Sequence, residues 1–382
     1  MDTKTKTITI IIVAALFVAG AAALLVRDSD GNDPDNEGLY RLNPTISNVN
    51  MGQCSATPGM IVTIEQMYKD YYGEIVDDKL TIDDAKKDEE FWNKYCVWDS
   101  MATLNEDGTF DVKISTAAKG DDIVKIPVCD TVVSMGTMYT ETLYFIACAE
   151  NDATPYSPES MKNAGVCDYL SKTIKGGMLY SYYSSDEAPF MLNCVPESGY
   201  FDLGVNSVQK VEKEKLTSGL QDAKSKGDNV VYFASGTRMS TTEFYDNNVG
   251  PCIETKANYA FFAPSSVNEV FASIECIGQI MGFENSVIEK VIQDIQLRLY
   301  KVYYSVESKT TDTKPVVFWE AGSGKAVKSA MAKIIVEFLG FDSKLLDGAE
   351  HDLENLLMEK PDYIVFYTND TRTDDAKMRV NL

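Results

Sequence analysis

The residues that could do chemistry lack the spacing that catalysis requires. His351 is the only histidine in this chain of 382 residues, and none of its eight cysteines falls in a Cys-x-x-Cys pair. The chain therefore has too few histidines for a zinc, haem or triad site that is based on this residue. Carboxylates are plentiful, but none lies in a motif that predicts general acid and base catalysis. We expect neither an enzyme nor a resident metal or cofactor.

A glycine-rich turn from Gly322 to Lys325, GSGK, matches part of a phosphate-binding loop. A complete loop has the pattern Gly-x-x-x-x-Gly-Lys-Ser/Thr. Here Trp319 holds the place of the first glycine, and Ala326 follows the lysine. The turn therefore predicts a tight connection between a strand and a helix rather than a nucleotide site.

Length and charge limit the class of protein further. The chain is long enough for roughly two domains, and 45% of its residues are hydrophobic. Its 58 acidic and 35 basic residues give a formal net charge of -23. Such a charge repels nucleic-acid phosphates and anionic lipid headgroups. We predict a folded globular protein that has no nucleic-acid partner.

Residues 1–27 predict a membrane anchor. Lys4 and Lys6 precede an uncharged apolar run from Ile8 to Val26, which is about long enough to cross a bilayer as a helix. The lysines should stay inside, so the soluble part lies on the extracytoplasmic side of the cell membrane as a single-pass protein. A cleaved signal peptide is the alternative, because small residues in the run offer cleavage positions. Either interpretation exports the soluble part.

The cysteines of an exported chain leave two alternatives open. An even number is compatible with disulfides, whose pairing the sequence does not fix. Two of the cysteines, Cys148 and Cys276, lie in apolar helical patterns, where a buried free thiol is the competing interpretation. The eight positions are Cys54, Cys96, Cys129, Cys148, Cys167, Cys194, Cys252 and Cys276.

The part that follows the anchor divides into a linker and an extra segment. Residues 28–50 predict a disordered linker, because a stretch rich in Asp, Asn, Gly and Pro cannot bury enough apolar surface to order itself. Residues 51–116 carry helical patterns at Thr63 to Tyr72 and Ile82 to Trp98, and a strand from Gly108 to Ser115. This segment could pack beside the first domain or bind a partner, and packing is the more ordinary use of such faces.

From Ile123 onward the pattern alternates between strands and helices. Short apolar strands separated by helices predict parallel sheets in an α/β fold. A long helical pattern runs from Ser265 to about Ser308, with a break predicted at Gly282. The predicted strands are Thr131 to Ser134, Val230 to Ala234, Tyr259 to Phe262, Val316 to Trp319 and Tyr363 to Tyr367.

Three segments resemble, in order, one protein family. The run TVVSMGTMYTETLYFIACAEN at 131–151 is similar to the first strand, loop and helix of class III periplasmic substrate-binding proteins, which serve ABC importers of iron siderophores, haem and cobalamin. Residues 265–302 resemble the long helix between the two lobes of that family, with Gly278 and Gly282 on its paired-glycine signature. The runs KPVVFWEAGSG and LENLLMEKPDYIVFY resemble parts of the second lobe.

The resemblance implies an α/β fold of two parallel-sheet lobes joined by a long interlobe helix. It divides the chain into a first lobe at 117–264, a connecting helix at 265–308 and a second lobe at 309–382. Two departures stand out. The segment before the strand at Val230 lacks the usual proline, and the chain stops soon after the strand that ends at Tyr367. The second lobe is therefore expected to be trimmed or completed differently.

The function implied by the resemblance is capture of a metal chelate between the lobes and delivery to an ABC permease. The chelate would be an iron siderophore, haem or a corrinoid such as cobalamin. In the family, acidic residues on the outer faces meet arginines of the permease, and Glu212 or Glu214 could take that part. The alternatives are a cell-surface structural or adhesion module that no longer binds ligand, and a chelatase-like enzyme, because a fold alone does not decide function.

Residues that bind the ligand are expected in the loops that leave the carboxyl ends of the strands. Aromatic and methionine side chains offer flat or polarizable surfaces, and Arg238 or Lys325 could pair with carboxylates of the ligand. Core packing is the alternative for Met135 and Met138, and a surface loop or interface patch is the alternative for the tyrosines at 180–183. The predicted residues are Met135, Thr137, Met138, Tyr139, Tyr180, Tyr182, Tyr183, Ser235, Arg238, Met239, Trp319 and Lys325.

Overall fold

The chain forms two compact units, which we call central and terminal. The central unit is Trp92–Ile295, and the terminal unit consists of the residues before and after it. The predicted anchor, the predicted linker and the predicted helix at Thr63 to Tyr72 lie outside the described residues. No helix among those described is long and apolar enough to cross a bilayer. The computed structural model describes residues 79–116, 120–155, 158–177, 201–203, 211–235, 242–307, 314–320, 326, 330–346, 358–359 and 361–366.

Helices and strands alternate along most of the described chain. The helices are α1 (Ile82–Lys87), α2 (Glu89–Phe91), α3 (Thr137–Glu150), α4 (Pro158–Asn163), α5 (Val166–Thr173), α6 (Lys213–Ser225), α7 (Thr242–Phe244), α8 (Gly250–Thr255), α9 (Val267–Ile280), α10 (Asn285–Glu307) and α11 (Ala330–Phe338), with π-helical turns at Trp92–Cys96 and Tyr245–Val249. The strands are β1 (Ala102–Leu104), β2 (Thr109–Thr116), β3 (Gly120–Pro127), β4 (Thr131–Met135), β5 (Ile174–Gly177), β6 (Phe201–Asp202), β7 (Val230–Ser235), β8 (Asn258–Phe262), β9 (Val317–Glu320) and β10 (Tyr363–Phe366).

A five-stranded parallel sheet forms the centre of the central unit. Its strand order is β6-β5-β4-β7-β8, and every neighbouring pair is parallel. All five residues of β4 are buried, as are the first five of β7. Such unbroken apolar strands are typical of a parallel sheet that is covered on both faces. The α/β class is confirmed, as are the predicted strands at β4, β7 and β8.

The extra segment packs against the edge of this sheet. β1, β2 and β3 form an antiparallel sheet of three strands, and β2 and β3 lie against β8. Phe110, Val112 and Ile114 of β2 are buried, whereas Lys113 between them is exposed. The strand predicted at Gly108 to Ser115 is thus confirmed. The helix predicted at Ile82 to Trp98 is corrected to two short helices followed by a π-helical turn.

Two helices replace the single long helix predicted over 265–308. α9 ends in a Schellman motif, in which the Phe283 N–H donates to Gly278 O at 3.0 Å and the Gly282 N–H donates to Gln279 O at 3.0 Å. Gly282 has a φ of +76°, which a residue with a Cβ rarely adopts. The chain therefore breaks at the predicted glycine. A Cβ at Gly278 would lie 2.6 Å from Ile288 Cδ1, so this glycine allows α9 and α10 to approach closely.

The terminal unit contains the other two strands that the sequence predicts. β9 and β10 are parallel, with Val317 opposite Tyr363. The Phe91 ring, which ends α2, lies 5.0 Å from the Tyr300 ring and 5.1 Å from the Tyr303 ring on α10. These contacts attach the short N-terminal helices to α10 within the same unit.

Several cysteines of the central unit are buried free thiols, and four of them lie in or next to the elements of the parallel sheet and its helices: Cys129, Cys148, Cys252 and Cys276. Burial raises the pKa of Cys129 and of Cys148 to about 12, and it raises the pKa values of the other two as well. A thiol that stays protonated is a poor nucleophile. For Cys148 and Cys276 the structure supports the free-thiol alternative over a disulfide.

Candidate functional site

The candidate site is the carboxyl edge of the five-stranded sheet. Met135 of β4 is in register with Ala234 of β7, and Ser235 of β7 is in register with Phe262 of β8. Because the strands are parallel, they all end at the same edge of the sheet. The loops that follow them therefore start from one place, which is where open α/β sheets bind ligands.

The turn between β4 and α3 is short and tightly packed. The Ser134 hydroxyl donates to Gly136 O at 2.8 Å, and α3 begins at the next residue, Thr137. A Cβ at Gly136 would lie 3.0 Å from the Tyr139 ring. This glycine allows the helix to start directly over the sheet edge.

Tyr139 is a buried residue that links α3 to β7 of the sheet. Its hydroxyl donates to Ala234 O at 2.6 Å, and its ring stacks on Phe233 at a centroid distance of 5.5 Å. Burial raises the pKa of the Tyr139 phenol above its ordinary value. Met135 is also buried, with 1% of its surface exposed. Both side chains lie in the core, which for Met135 is the packing alternative that the sequence left open.

Two predicted residues at this edge keep part of their surface exposed. Met138 in the first turn of α3 and Ser235 at the end of β7 are half-buried. Glu212 and Glu214, at the start of α6, are exposed. Trp319 is buried in β9 of the terminal unit. Tyr180, Tyr182, Tyr183, Arg238, Met239 and Lys325 lie outside the described residues.

Glu141 has a partly buried carboxyl, and sequence analysis included this residue only within the motif at 131–151. It lies on α3, one turn after Met138 and Thr137. The residue is half-buried as a whole, but its Oε2 atom is fully buried and has no hydrogen-bond partner. Burial alone raises the pKa of this carboxyl to about 8. Near neutral pH the group therefore carries its proton and can donate a hydrogen bond.

No cluster of metal-ligating side chains is found in the part of the chain that the structure describes. His351 and the glycine-rich turn at Gly322 to Lys325 lie outside that part. Among the described residues of this edge, Met138 and Ser235 keep part of their surface exposed, whereas Glu141 Oε2 is buried. A thioether and a hydroxyl suit contact with an organic ligand better than direct ligation of a bare ion.

Comparison with known proteins gives two similar solved structures. One is a periplasmic solute binding protein from Veillonella parvula, with 15% identity and a TM-score of 0.43 over 69% of this chain and 70% of that chain. The other is the heme binding protein HmuT, with 15% identity and a TM-score of 0.39 over 71% of this chain and 77% of that chain. No family model and no curated protein matches the chain. Likenesses this weak assign neither a family nor a ligand to this chain.

Proposed function

We propose that this chain is an extracytoplasmic substrate-binding protein that captures a metal chelate and delivers it to an ABC permease. The ligand class is an iron siderophore, haem or a cobalamin-like corrinoid, and residues 1–27 hold the protein at the cell membrane. The observation that carries the proposal is the position of the first family-like motif. Residues 131–151 form β4, a tight turn and α3 at the carboxyl edge of a parallel sheet.

The half-buried residues of that edge are the proposed contacts. Met138 follows β4 and Ser235 ends the neighbouring β7, and both keep surface available for an apolar or polar part of a chelate. Tyr139 and Met135 form the rigid layer behind them, which fixes the loops before a ligand arrives. The loop segments with Tyr180 and Arg238 follow β5 and β7 in the chain, and we propose that they complete the ligand contacts.

Thermal stability of the full chain, purified in a non-ionic detergent, tests the proposal. The protein is melted alone and with haemin, cobalamin or a ferric siderophore. A ligand present at a hundred times its Kd stabilises the folded state by about 2.7 kcal/mol, which corresponds to a rise in Tm of roughly 5–10 °C for a domain of this size. No shift with any of the three, far above micromolar concentration, would favour the structural or adhesion alternative.

A steric variant locates the binding surface. Ser235→Trp places a large side chain at the end of β7 and should abolish the shift. Ser225→Trp is the matched control, because Ser225 is exposed in the last turn of α6, near the amino end of β7. The control should keep the full shift. Equal shifts in both variants would show that the ligand does not bind at this edge.

Docking to the permease is tested separately from ligand capture. Glu212 and Glu214 present two carboxylates at the exposed start of α6. The double variant Glu212→Lys/Glu214→Lys should keep the thermal shift but lose most uptake of the same chelate by the native host cell. A control with the same change of charge is Glu243→Lys/Glu254→Lys, at two other exposed positions. Equal uptake by both variants would remove α6 from the docking surface.

A further inference from the structure

A second concave feature lies at the carboxyl end of β8, among residues that the sequence did not predict to bind a ligand. It is a cavity of about 550 Å³. This volume is within the range of small-molecule sites. Its sides come from the end of β8, the first turns of α9, Lys113 on β2 and the loop 97–101, which we call the Trp98 wall. The extra segment of the chain thus supplies part of a pocket within the central unit.

Hydrogen bonds to α9 and β2 hold the Trp98 wall in place. The Trp98 indole Nε1 donates to Glu275 at 3.2 Å, and its ring lies 5.7 Å from the Phe271 ring. The Asn268 side-chain amide donates to Val97 O. At the other end of the wall, the Lys113 N–H donates to Met101 O at 2.8 Å. The wall is therefore fixed without a ligand, which lowers the entropic cost of binding.

The start of α9 does not offer an anion site, because the helix caps itself. The Ser266 hydroxyl accepts from the Glu269 N–H at 3.2 Å. The Glu269 carboxylate lies in the first turn, where it offsets the positive end of the helix dipole. Its Oε2 accepts from the Ser265 hydroxyl at 2.9 Å. An incoming anion would meet this carboxylate.

Open acceptors in the cavity are carboxylate oxygens. Asp99 is exposed on the Trp98 wall and makes no hydrogen bond or ion pair within the described residues. Glu269 Oε1 likewise has no bond there. Lys113 brings one positive charge, so the lining carries a net negative charge. The whole chain, at a formal charge of -23, attracts cations to this surface.

The remaining lining mixes polar side chains, those of Ser100, Ser265, Ser266 and Asn268, with an apolar and aromatic part. Trp98, Met101, Phe262 and Ala272 contribute to it. The face of a tryptophan ring attracts ammonium and guanidinium groups, and this attraction is strongest among the aromatic side chains. An apolar surface next to open carboxylates therefore matches a ligand that has a cationic head and an apolar body.

We propose that this cavity binds a small organic cation, an ammonium or guanidinium compound with an apolar body. The cavity lies at the same edge of the sheet as the proposed chelate contacts, but neither Met138 nor Ser235 lines it. It gives the extra segment of the chain a role in ligand binding in addition to packing. Whether the cavity binds a cation can be tested independently of whether the protein binds a metal chelate.

Three probes of similar size and different charge test the proposal by titration calorimetry on the full chain in non-ionic detergent. They are phenethylammonium, 3-phenylpropanoate and 2-phenylethanol. The ammonium probe should bind at least about tenfold more tightly than the other two, and its affinity should fall as salt is raised from about 0.01 to 1 M. Equal or tighter binding of the anion or the alcohol would overturn the proposal. So would absence of ammonium binding at about 10 mM.

Two pairs of variants place the probe in the cavity. Ala263→Leu should narrow the cavity and weaken binding, whereas Ala164→Leu, an equally half-buried position outside the cavity, should bind normally. Asp99→Asn should weaken the ammonium probe about threefold to tenfold. Glu106→Gln, an exposed acid of the same segment outside the cavity, should not. Because Asp99 is exposed, this variant should fold. Normal binding by both Ala263→Leu and Asp99→Asn would overturn the assignment.

Discussion

The ends of β4 and β8 belong to one parallel sheet but are built differently. After β4, Tyr139 lies back across the sheet and its hydroxyl donates to Ala234 O, so the chain itself closes the space behind the strand. After β8, the Trp98 wall stands away from the strand end and leaves an open cavity. At the end of β4 the helix that follows directly fills the space. At the end of β8 a segment from an earlier part of the chain forms the opposite side and leaves a cavity.

The largest effect is expected at Gly177, which packs closely against β4 at the closed end, by which we mean the tightly packed ends of β4 and β5. This residue ends β5 with a φ of +146°, and an added Cβ would lie 2.0 Å from Ser134 O. Gly177→Ala should therefore lower the free energy of unfolding by about 3 kcal/mol or more, measured by urea denaturation. Gly227→Ala is the control, because it has a φ of +86° but no atom within 4 Å of the added Cβ. It should lose only about 1 kcal/mol, and equal losses would show that the closed end is not tightly packed.

A smaller and pH-dependent effect is expected at Glu141. The folded chain keeps the proton on this carboxyl up to a pH of about 8, whereas the unfolded chain loses it near pH 4.3, roughly the ordinary value. The folded state thus binds more protons between these two values, and the free energy of unfolding falls as pH rises.

Glu141→Gln removes this dependence because the amide does not titrate. At pH 8 the variant should be more stable than the parent by about 1–3 kcal/mol, and at pH 4 the two should be nearly equal. Denaturation curves at both pH values measure the difference. Glu214→Gln, on an exposed part of α6, should show no such change. If the difference in unfolding free energy between the parent and Glu141→Gln were the same at both pH values, burial of the carboxyl would be contradicted.

The smallest effect is expected for Tyr139→Phe. The change removes the hydroxyl that donates to Ala234 O and leaves the ring packing intact. Loss of one such hydrogen bond should cost about 1 kcal/mol of unfolding free energy, measured by urea denaturation. Tyr304→Phe, at a residue that is 45% exposed, should cost almost nothing. No loss at Tyr139 would mean that the closed end depends on apolar packing alone.

Much of the parallel sheet could be predicted from the sequence because its central strands have an unbroken apolar pattern. β4 and β7 are buried along nearly their whole length, and this burial leaves a readable run of valine and aromatic residues. β5 was missed because its four residues, IKGG, include two glycines and show no periodicity. Gly177 is there for a close approach to Ser134, which depends on another strand and leaves no local pattern.

The cavity at β8 could not be predicted, because its walls come together only in the folded chain. Trp98 and Glu275 bond across 177 positions of sequence. Trp98 lies in no motif, Glu275 is not one of the two glycines that mark the segment 265–302, and both residues fit an ordinary amphipathic helix pattern. The sequence predicts a break at Gly282 but still one connecting helix over 265–308, because periodicity continues through the glycine. The Schellman motif at Gly282 interrupts the backbone without interrupting the apolar pattern.

The buried thiols can be used to measure local opening within the central unit. Cys129 precedes β4, Cys148 lies near the end of α3, Cys252 lies in α8 and Cys276 lies in α9. A thiol-specific reagent reaches each of them only when the surrounding structure opens, so the labelling rate of each cysteine gives the opening free energy of its own element. Peptide mass spectrometry would resolve the four rates, and a ligand held by α9 should slow labelling at Cys276 more than at Cys148.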